Sequence, residues 1–142
     1  MTAFHLDILS PERPFYSGEC VSLVVPISDG MLGIMAHHTP LTAAIMDGEL
    51  IFTLPDGTRR HCAVTRGILD ISGNEARILS ESALSPEEID EEAERLAMQD
   101  AMLELSEKKG REDYILSQLA FARAFNNLKV KQHNAVRETD RK

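Results

Sequence analysis

The side chains able to do chemistry are few and scattered. His37 and His38 are adjacent, and a pair of imidazoles is a plausible start for a metal site. Neighbours in an extended chain point to opposite faces, however, and no H-E-x-x-H helix or cysteine partner accompanies them. A turn or interface role is therefore expected, and no metal. Cys20 and Cys62 lie far apart in apolar, strand-like runs, as two reduced and buried thiols would, and they do not make a zinc site. Met31, Met35 and Met46 are expected to fill a core or an interface rather than to bind a ligand. The carboxylates of Glu87, Glu88, Asp90, Glu91 and Glu92 crowd one short stretch, where a helix dipole and solvation explain them better than acid–base work. There is no G-x-x-x-x-G-K-[ST], no G-x-G-x-x-G and no G-x-S-x-G, so neither a standard phosphate loop nor a nucleophile elbow is present. No catalytic residue and no cofactor site is expected.

The elements that would hold such side chains fall into two halves with different periods. Up to about residue 84, apolar residues alternate with polar ones. Phe4, Leu6 and Ile8 form one such set, Val21, Leu23 and Val25 a second, and Leu50, Phe52 and Leu54 a third. Asp56-Gly57 separates the third from Arg59 to Val64, and Gly73-Asn74 separates Ile68–Ile71 from Ala76–Leu79. Both read as hairpin turns, with central residues that must tolerate positive φ. Further turns at Asp29-Gly30, Gly33 and Asp47-Gly48 predict about eight to ten short strands in a β-sandwich or barrel. No segment before Ser85 has room for a crossover helix, so a parallel α/β sheet is not expected.

At Ser85 the character changes. Ser85 can cap a helix, Pro86 suits its first position, and Glu88 completes a capping box. This first helix runs to Lys108 and Lys109, and Gly110 ends it. A second helix from about Glu112 to about Lys131 carries Ile115, Leu116, Leu119, Ala122 and Phe125. Residues past Gln132 form a frayed polar tail. The chain thus divides into a β domain, 1–84, and an antiparallel α-helical hairpin arm, 85–142. Ala93, Ala97 and Ala101 follow at i+4 steps, with Leu96 and Leu103 nearby, and form the small inner face of the first helix. Alanines bury little apolar area, so the arm is expected to be weakly fixed and able to leave for another partner.

Charge narrows the partners. The 142 residues carry a net −8, which disfavours nucleic acid and anionic lipid. No apolar run is long enough to span a bilayer, and Met1 to Leu9 lacks the basic region of a signal peptide, so a cytoplasmic place is expected. Within the arm, residues 85–113 hold eleven acids and four bases, a net −7, while residues 114–142 hold two acids and six bases, a net +4. An opened arm would offer its basic half to an acidic surface.

Phe4 to Glu12, the run Phe15-Tyr16-Ser17-Gly18-Glu19 followed by Val21 to Pro26, and Asp29-Gly30-Met31-Leu32-Gly33-Ile34-Met35-Ala36-His37-His38-Thr39-Pro40-Leu41 together resemble the epsilon subunits of F-type ATP synthases (delta in mitochondria). Gly48-Glu49-Leu50 and Ala63 to Gly67 follow in the same order. The resemblance extends from about Phe4 to Val130. One departure stands out: the Pro-Gly that precedes the signature histidine in the family is Ala36-His37 here, so a residue without glycine's latitude must fit that turn.

The resemblance implies a non-catalytic central-stalk subunit, peripheral on the cytoplasmic face of the membrane, that helps couple ion-driven rotation to ATP synthesis. Its β domain would grip the gamma subunit and rest on the c-ring. Asp29, Gly30, Met31, Leu32, Gly33, His38, Pro40 and Leu41 are the implied rotor contacts. Its arm would reach the alpha and beta subunits of the catalytic head and inhibit ATP hydrolysis, with Arg123, Lys129 and Lys131 as the implied contacts. Some bacterial members bind ATP through Ile/Leu-Asp-x-x-Arg-Ala. The matching run here, Ile89-Asp90-Glu91-Glu92-Ala93-Glu94, lacks the arginine, and Arg95 lies about 200° around the helix from Ala93. A reading from a different class, a stand-alone β-barrel binding module with a helical dimerisation tail, predicts self-association instead of assembly with gamma.

Overall fold

The computed structural model describes residues 2–107 and 110–140. Two compact units result, residues 1–85 and 86–142.

The first unit is built from ten strands. They are β1 (Phe4–Leu9), β2 (Pro14–Cys20), β3 (Ser22–Ile27), β4 (Gly30–Ile34), β5 (Leu41–Ile45), β6 (Gly48–Thr53), β7 (Arg59–Val64), β8 (Gly67–Ser72), β9 (Glu75–Ser80) and β10 (Ala83–Leu84). One sheet has the order β2-β1-β9-β8-β5 and the other β10-β7-β6-β3-β4. Inward residues of the first sheet include Leu6, Ile8, Leu69, Ile71, Ala76 and Ile78. Those of the second include Leu23, Val25, Ile34, Leu50, Phe52 and Val64. They alternate with polar or half-exposed neighbours along β1, β8 and β9 of the first sheet and along β6 of the second, as in a sandwich, while β7 ends on three buried residues, Cys62 to Val64. Cys20 and Cys62 lie in this core as free thiols, and burial pushes the Cys20 thiol up to about 11. Arg60, cross-strand from Phe52, spreads its guanidinium over the rings of Phe52, Tyr16 and Phe15 at 5.4, 5.7 and 6.0 Å.

β1 and β9 run parallel, with His5 beside Glu75 and Leu9 beside Leu79, while the other pairings are antiparallel. No crossover helix is needed for this seam, because the strands between them in sequence make the connection.

The turns differ in kind. Gly73 and Asn74 both take positive φ, 57° and 62°, as a two-residue turn matched to strand twist requires. At Asp56-Gly57 only Gly57 does so, which departs from the expectation for both residues. The loop there is longer: Gly57 N–H donates to Leu54, Leu54 N–H donates to Thr58, and the Asp56 carboxylate accepts from Thr58 N–H. Gly67 marks a close backbone approach, since a Cβ there would lie 1.9 Å from the Leu79 carbonyl oxygen.

In the second unit, the helix start departs from the sequence reading. Pro86–Glu88 forms one 3-10 turn, and α1 spans Glu91–Ser106 with Asp90, not Ser85, as its N-cap. Asp90 has extended backbone and its carboxylate accepts from Ala93 N–H at 3.2 Å. Ile89, buried between the two competing caps, separates the short turn from the helix. α2 spans Arg111–Asp140. Gly110 belongs to its start, its carbonyl accepting from Tyr114 N–H. Lys108 and Lys109 lie outside the described residues. α2 continues well past Lys131, where a frayed tail was expected, because polarity does not stop a helix and no Gly or Pro interrupts it.

The inner face of α1 also differs. Of the expected alanines only Ala101 is buried; Ala93 and Ala97 are exposed, as are Leu96 and Leu103. The stripe that turns inward is Glu94, Met98, Ala101 and Leu105, at helical spacing. Glu94 accepts from the Asn127 amide at 3.1 Å, and Glu104 accepts from the Ser117 hydroxyl at 2.8 Å. On α2 the buried positions include Ser117, Ala124, Asn127, Leu128 and Val130, whereas Ile115, Leu116 and Phe125 are exposed. Ser117 and Asn127 are buried, and each link satisfies a hydroxyl or amide that would otherwise be desolvated without a partner.

Gly67→Ala should lower the stability of the sandwich by about 3 kcal/mol or more, read in a denaturant titration, because backbone must move to admit the methyl group.

Candidate functional site

The implied contact residues do not share one loop. Asp29, Gly30 and Met31 stand at the tip of the β3–β4 hairpin, where Ile27 pairs with Gly30. His38 and Pro40 lie in the connection from β4 to β5, beyond the pairing of Leu23 with Ile34. The length of β4 separates the two groups, about 14 Å at the usual rise per residue. Leu32 and Leu41 turn inward and pack on the core, while Gly33 lies exposed within β4. Met31 is 56% exposed and Met35 and Met46 nearly as much, so none of the three fills the core.

The β4–β5 connection is a turn, not an extended segment. His37 has φ 62°, a conformation that costs a non-glycine residue about 1–2 kcal/mol. Its N–H donates to Asn74 Oδ1 at 2.8 Å. The same carboxamide donates from Nδ2 to the Ala3 carbonyl at 3.3 Å, and the Asn74 backbone carbonyl accepts from His5 N–H. His38 Nδ1 donates to the Thr39 carbonyl at 2.7 Å, so that ring nitrogen is engaged. Asn74 was legible in sequence as a turn residue. Its bond to a residue 37 positions earlier left no sequence signal.

One cluster resembles a hydrolytic triad by composition alone. Ser17, Asp7 and His5 meet on the outer face of the first sheet. Here the carboxylate sits between the other two: Ser17 donates to Asp7 at 2.6 Å, and His5 Nε2 meets the same oxygen at 3.1 Å. The hydroxyl proton is therefore directed at Asp7 rather than at an imidazole base, the reverse of what nucleophile activation requires. The Ser17 hydroxyl is the main reason the Asp7 carboxyl is held below its usual range. No three His, Cys, Asp or Glu side chains converge into a metal cage among the described residues.

On the arm, the residues matching the nucleotide motif have other partners. Ile89 is buried, Asp90 caps α1, and Ala93 supplies the N–H that Asp90 accepts. Arg95 is held by Glu91 at 3.1 Å and Glu92 at 3.2 Å. Arg123 and Lys129 are exposed, but Lys131 donates from Nζ to the Pro86 carbonyl at 3.0 Å. Arg123 and Lys131 lie within about 80° of each other around α2, with Lys129 well off that line. No helix among the described residues is long and apolar enough to cross a membrane.

These elements define a ten-stranded β-sandwich followed by a pair of helices. Residues 3–86 match the family model described as ATP synthase, Delta/Epsilon chain, beta-sandwich domain. The ATP synthase epsilon chain of Caldicellulosiruptor bescii is 37% identical over 134 residues, covering 94% of this chain and 97% of the relative. That of Nitrosococcus oceani is 34% identical over 128 residues, covering 90% and 91%. The chain belongs to the ATP synthase delta/epsilon family. A chain in the Euglena gracilis mitochondrial ATP synthase structure (OSCP, F1 and c-ring) shares the fold, with a TM-score of 0.73 at 16% identity over 92% of this chain and 79% of its own.

Ser17→Ala should move the Asp7 titration, followed by carboxyl NMR, upward toward the ordinary value. A carboxyl depressed on folding adds stability above its unfolded value and loses it as pH falls through the folded one. The variant should therefore show a smaller stability loss between about pH 6 and about pH 2 than the parent. Calorimetric titration of the isolated chain with ATP should give no micromolar binding, since the motif's guanidinium is missing and a carboxylate stands beside its place.

Proposed function

We propose that this chain is a non-catalytic subunit of the central stalk of F-type ATP synthase. It couples ion-driven rotation to ATP synthesis and restrains ATP hydrolysis through its helical arm. Family membership supports the assembly. The observation that carries the division of labour is the separate compactness of the two units, each with its own exposed surface.

In this reading the sandwich, residues 1–84, binds gamma and the c-ring. The hairpin tip at Asp29–Met31 and the connection through His38 and Pro40 are the contact candidates, one at each end of β4. Gly33 lies between them, and Leu32 and Leu41 support them from the core. The exposed thioethers of Met31, Met35 and Met46 suit an adaptable interface. The arm, residues 85–142, reaches toward the alpha and beta subunits. Its apolar side chains Leu103, Leu116 and Phe125 stay exposed, and its helices are joined in part by hydrogen bonds that another polar surface could replace. Arg123 and Lys129 are exposed cations of its second helix. Lys131 can join them only after leaving the Pro86 carbonyl. The chain takes no cofactor in this role and resides at the cytoplasmic face of the membrane through the complex.

Deleting residues 85–142 should leave assembly with gamma intact and raise ATP hydrolysis by the complex, measured with a coupled assay. Unchanged hydrolysis would remove the inhibitory role. Loss of the gamma complex, with self-association of the intact chain through its hairpin, would favour the stand-alone binding module.

A further inference from the structure

We propose that Asn74 is the positioning residue for the β4–β5 connection: its carboxamide holds His37 in a left-handed backbone conformation and so presets the surface that His38, Thr39 and Pro40 present. The inference rests on the reading that this connection is one of the stalk contacts.

The connection leaves β4 in one sheet and enters β5 in the other, so neither strand ladder holds its middle. Left to itself, His37 would favour negative φ, and the turn would open. Asn74 opposes this from outside the loop. It sits in the β8–β9 turn at φ 62°, a conformation asparagine tolerates better than most residues. From there its side chain reaches two segments at once, accepting from His37 N–H at 2.8 Å and donating to the Ala3 carbonyl at 3.3 Å. The second bond fixes the plane of the amide, which aims Oδ1 at the His37 N–H. The anchor is rigid, because Asn74 also accepts from His5 N–H through its backbone and its turn joins two paired strands. A contact surface preset in this way binds without the ordering cost of a mobile loop. It is also set by a residue that need not touch the partner.

The test uses the full chain with the cognate complex from which this subunit has been removed. Asn74→Gly keeps an easy left-handed backbone at 74 but removes the carboxamide. Asn74→Asp keeps an acceptor for His37 N–H and loses the donor to Ala3. Asn74→Gly should speed hydrogen exchange at the His37 amide and weaken rebinding by roughly five- to tenfold each, the size of one lost hydrogen bond. Asn74→Asp should keep most of the exchange protection. Adding His37→Gly to Asn74→Gly should restore rebinding, because glycine takes positive φ unaided, while exchange at residue 37 stays fast. Unchanged exchange in Asn74→Gly overturns the proposal, as does lost rebinding that His37→Gly fails to recover. Thr39→Glu separates the two levels of the argument. It places a charge on the exposed face of the connection and leaves the Asn74 bond alone. Rebinding that Thr39→Glu leaves untouched removes this connection from the interface, and the proposal falls with the reading beneath it. Rebinding weakened by Thr39→Glu but not by Asn74→Gly leaves the reading intact and overturns only the positioning role.

Discussion

The pressing together of two aliphatic faces, Leu6, Ile8, Leu69 and Ile78 against Leu23, Val25, Leu50 and Val64, is what everything else in the first unit rests on. With no tryptophan and few aromatic residues, this interior depends on register more than on bulk. A slip of one residue in any strand would turn its aliphatic side chains to solvent and its polar ones inward. Register is pinned at particular places. Gly73 and Asn74 set β8 against β9 through a turn that only left-handed residues can make, and Gly67 permits the backbone approach that lets β8 begin where it does. Arg60 meets the end of the interior with its charge over three rings rather than with a hydrophobe.

The second unit is held by a different kind of bond. Its inward stripe mixes Met98, Ala101 and Leu105 with the carboxylate of Glu94, which finds an amide on α2, and the exposed Glu104 beside it accepts from a buried hydroxyl there. Hydrogen bonds of this type add little net stability over water, about 1 kcal/mol each, yet they fix which residues face each other. Such a helix pair keeps its alignment while remaining cheap to part. The sandwich, by contrast, is held by an aliphatic interior.

Much of this was legible in the sequence, and the reasons are physical. Alternation over Phe4–Ile8 or Leu50–Leu54 has one stable solution once a face is buried, so the strands and their inner sides followed directly. The break at residue 85 was plain because helix and strand periods cannot be confused over such lengths. Local choices between similar signals were less plain. Ser85 and Asp90 both satisfy the chemistry of a cap, and α1 begins after Asp90, with the buried Ile89 lying between the two. The alanine ladder suggested an inner face by size, while the face that turns inward carries Glu94, whose carboxylate finds a donor in Asn127. At the candidate contact, residues contiguous in sequence were divided by β4. The asparagine that organises the connection acts across 37 positions, a distance at which one sequence holds no pattern.

The parallel seam between β1 and β9 has a consequence for how the protein is made. β1 is bordered on one side by β2, its immediate successor, and on the other by a strand that is made some seventy residues later. The first sheet therefore has no centre until residue 80 is free. Through that interval the β1–β2 hairpin must wait with an unpaired edge, exposed to wrong partners. The second sheet, whose β3, β4, β6 and β7 pair among themselves, can form in the meantime. Synthesis order thus makes closure of the sandwich wait for β9, ahead of the two helices that follow it in the chain.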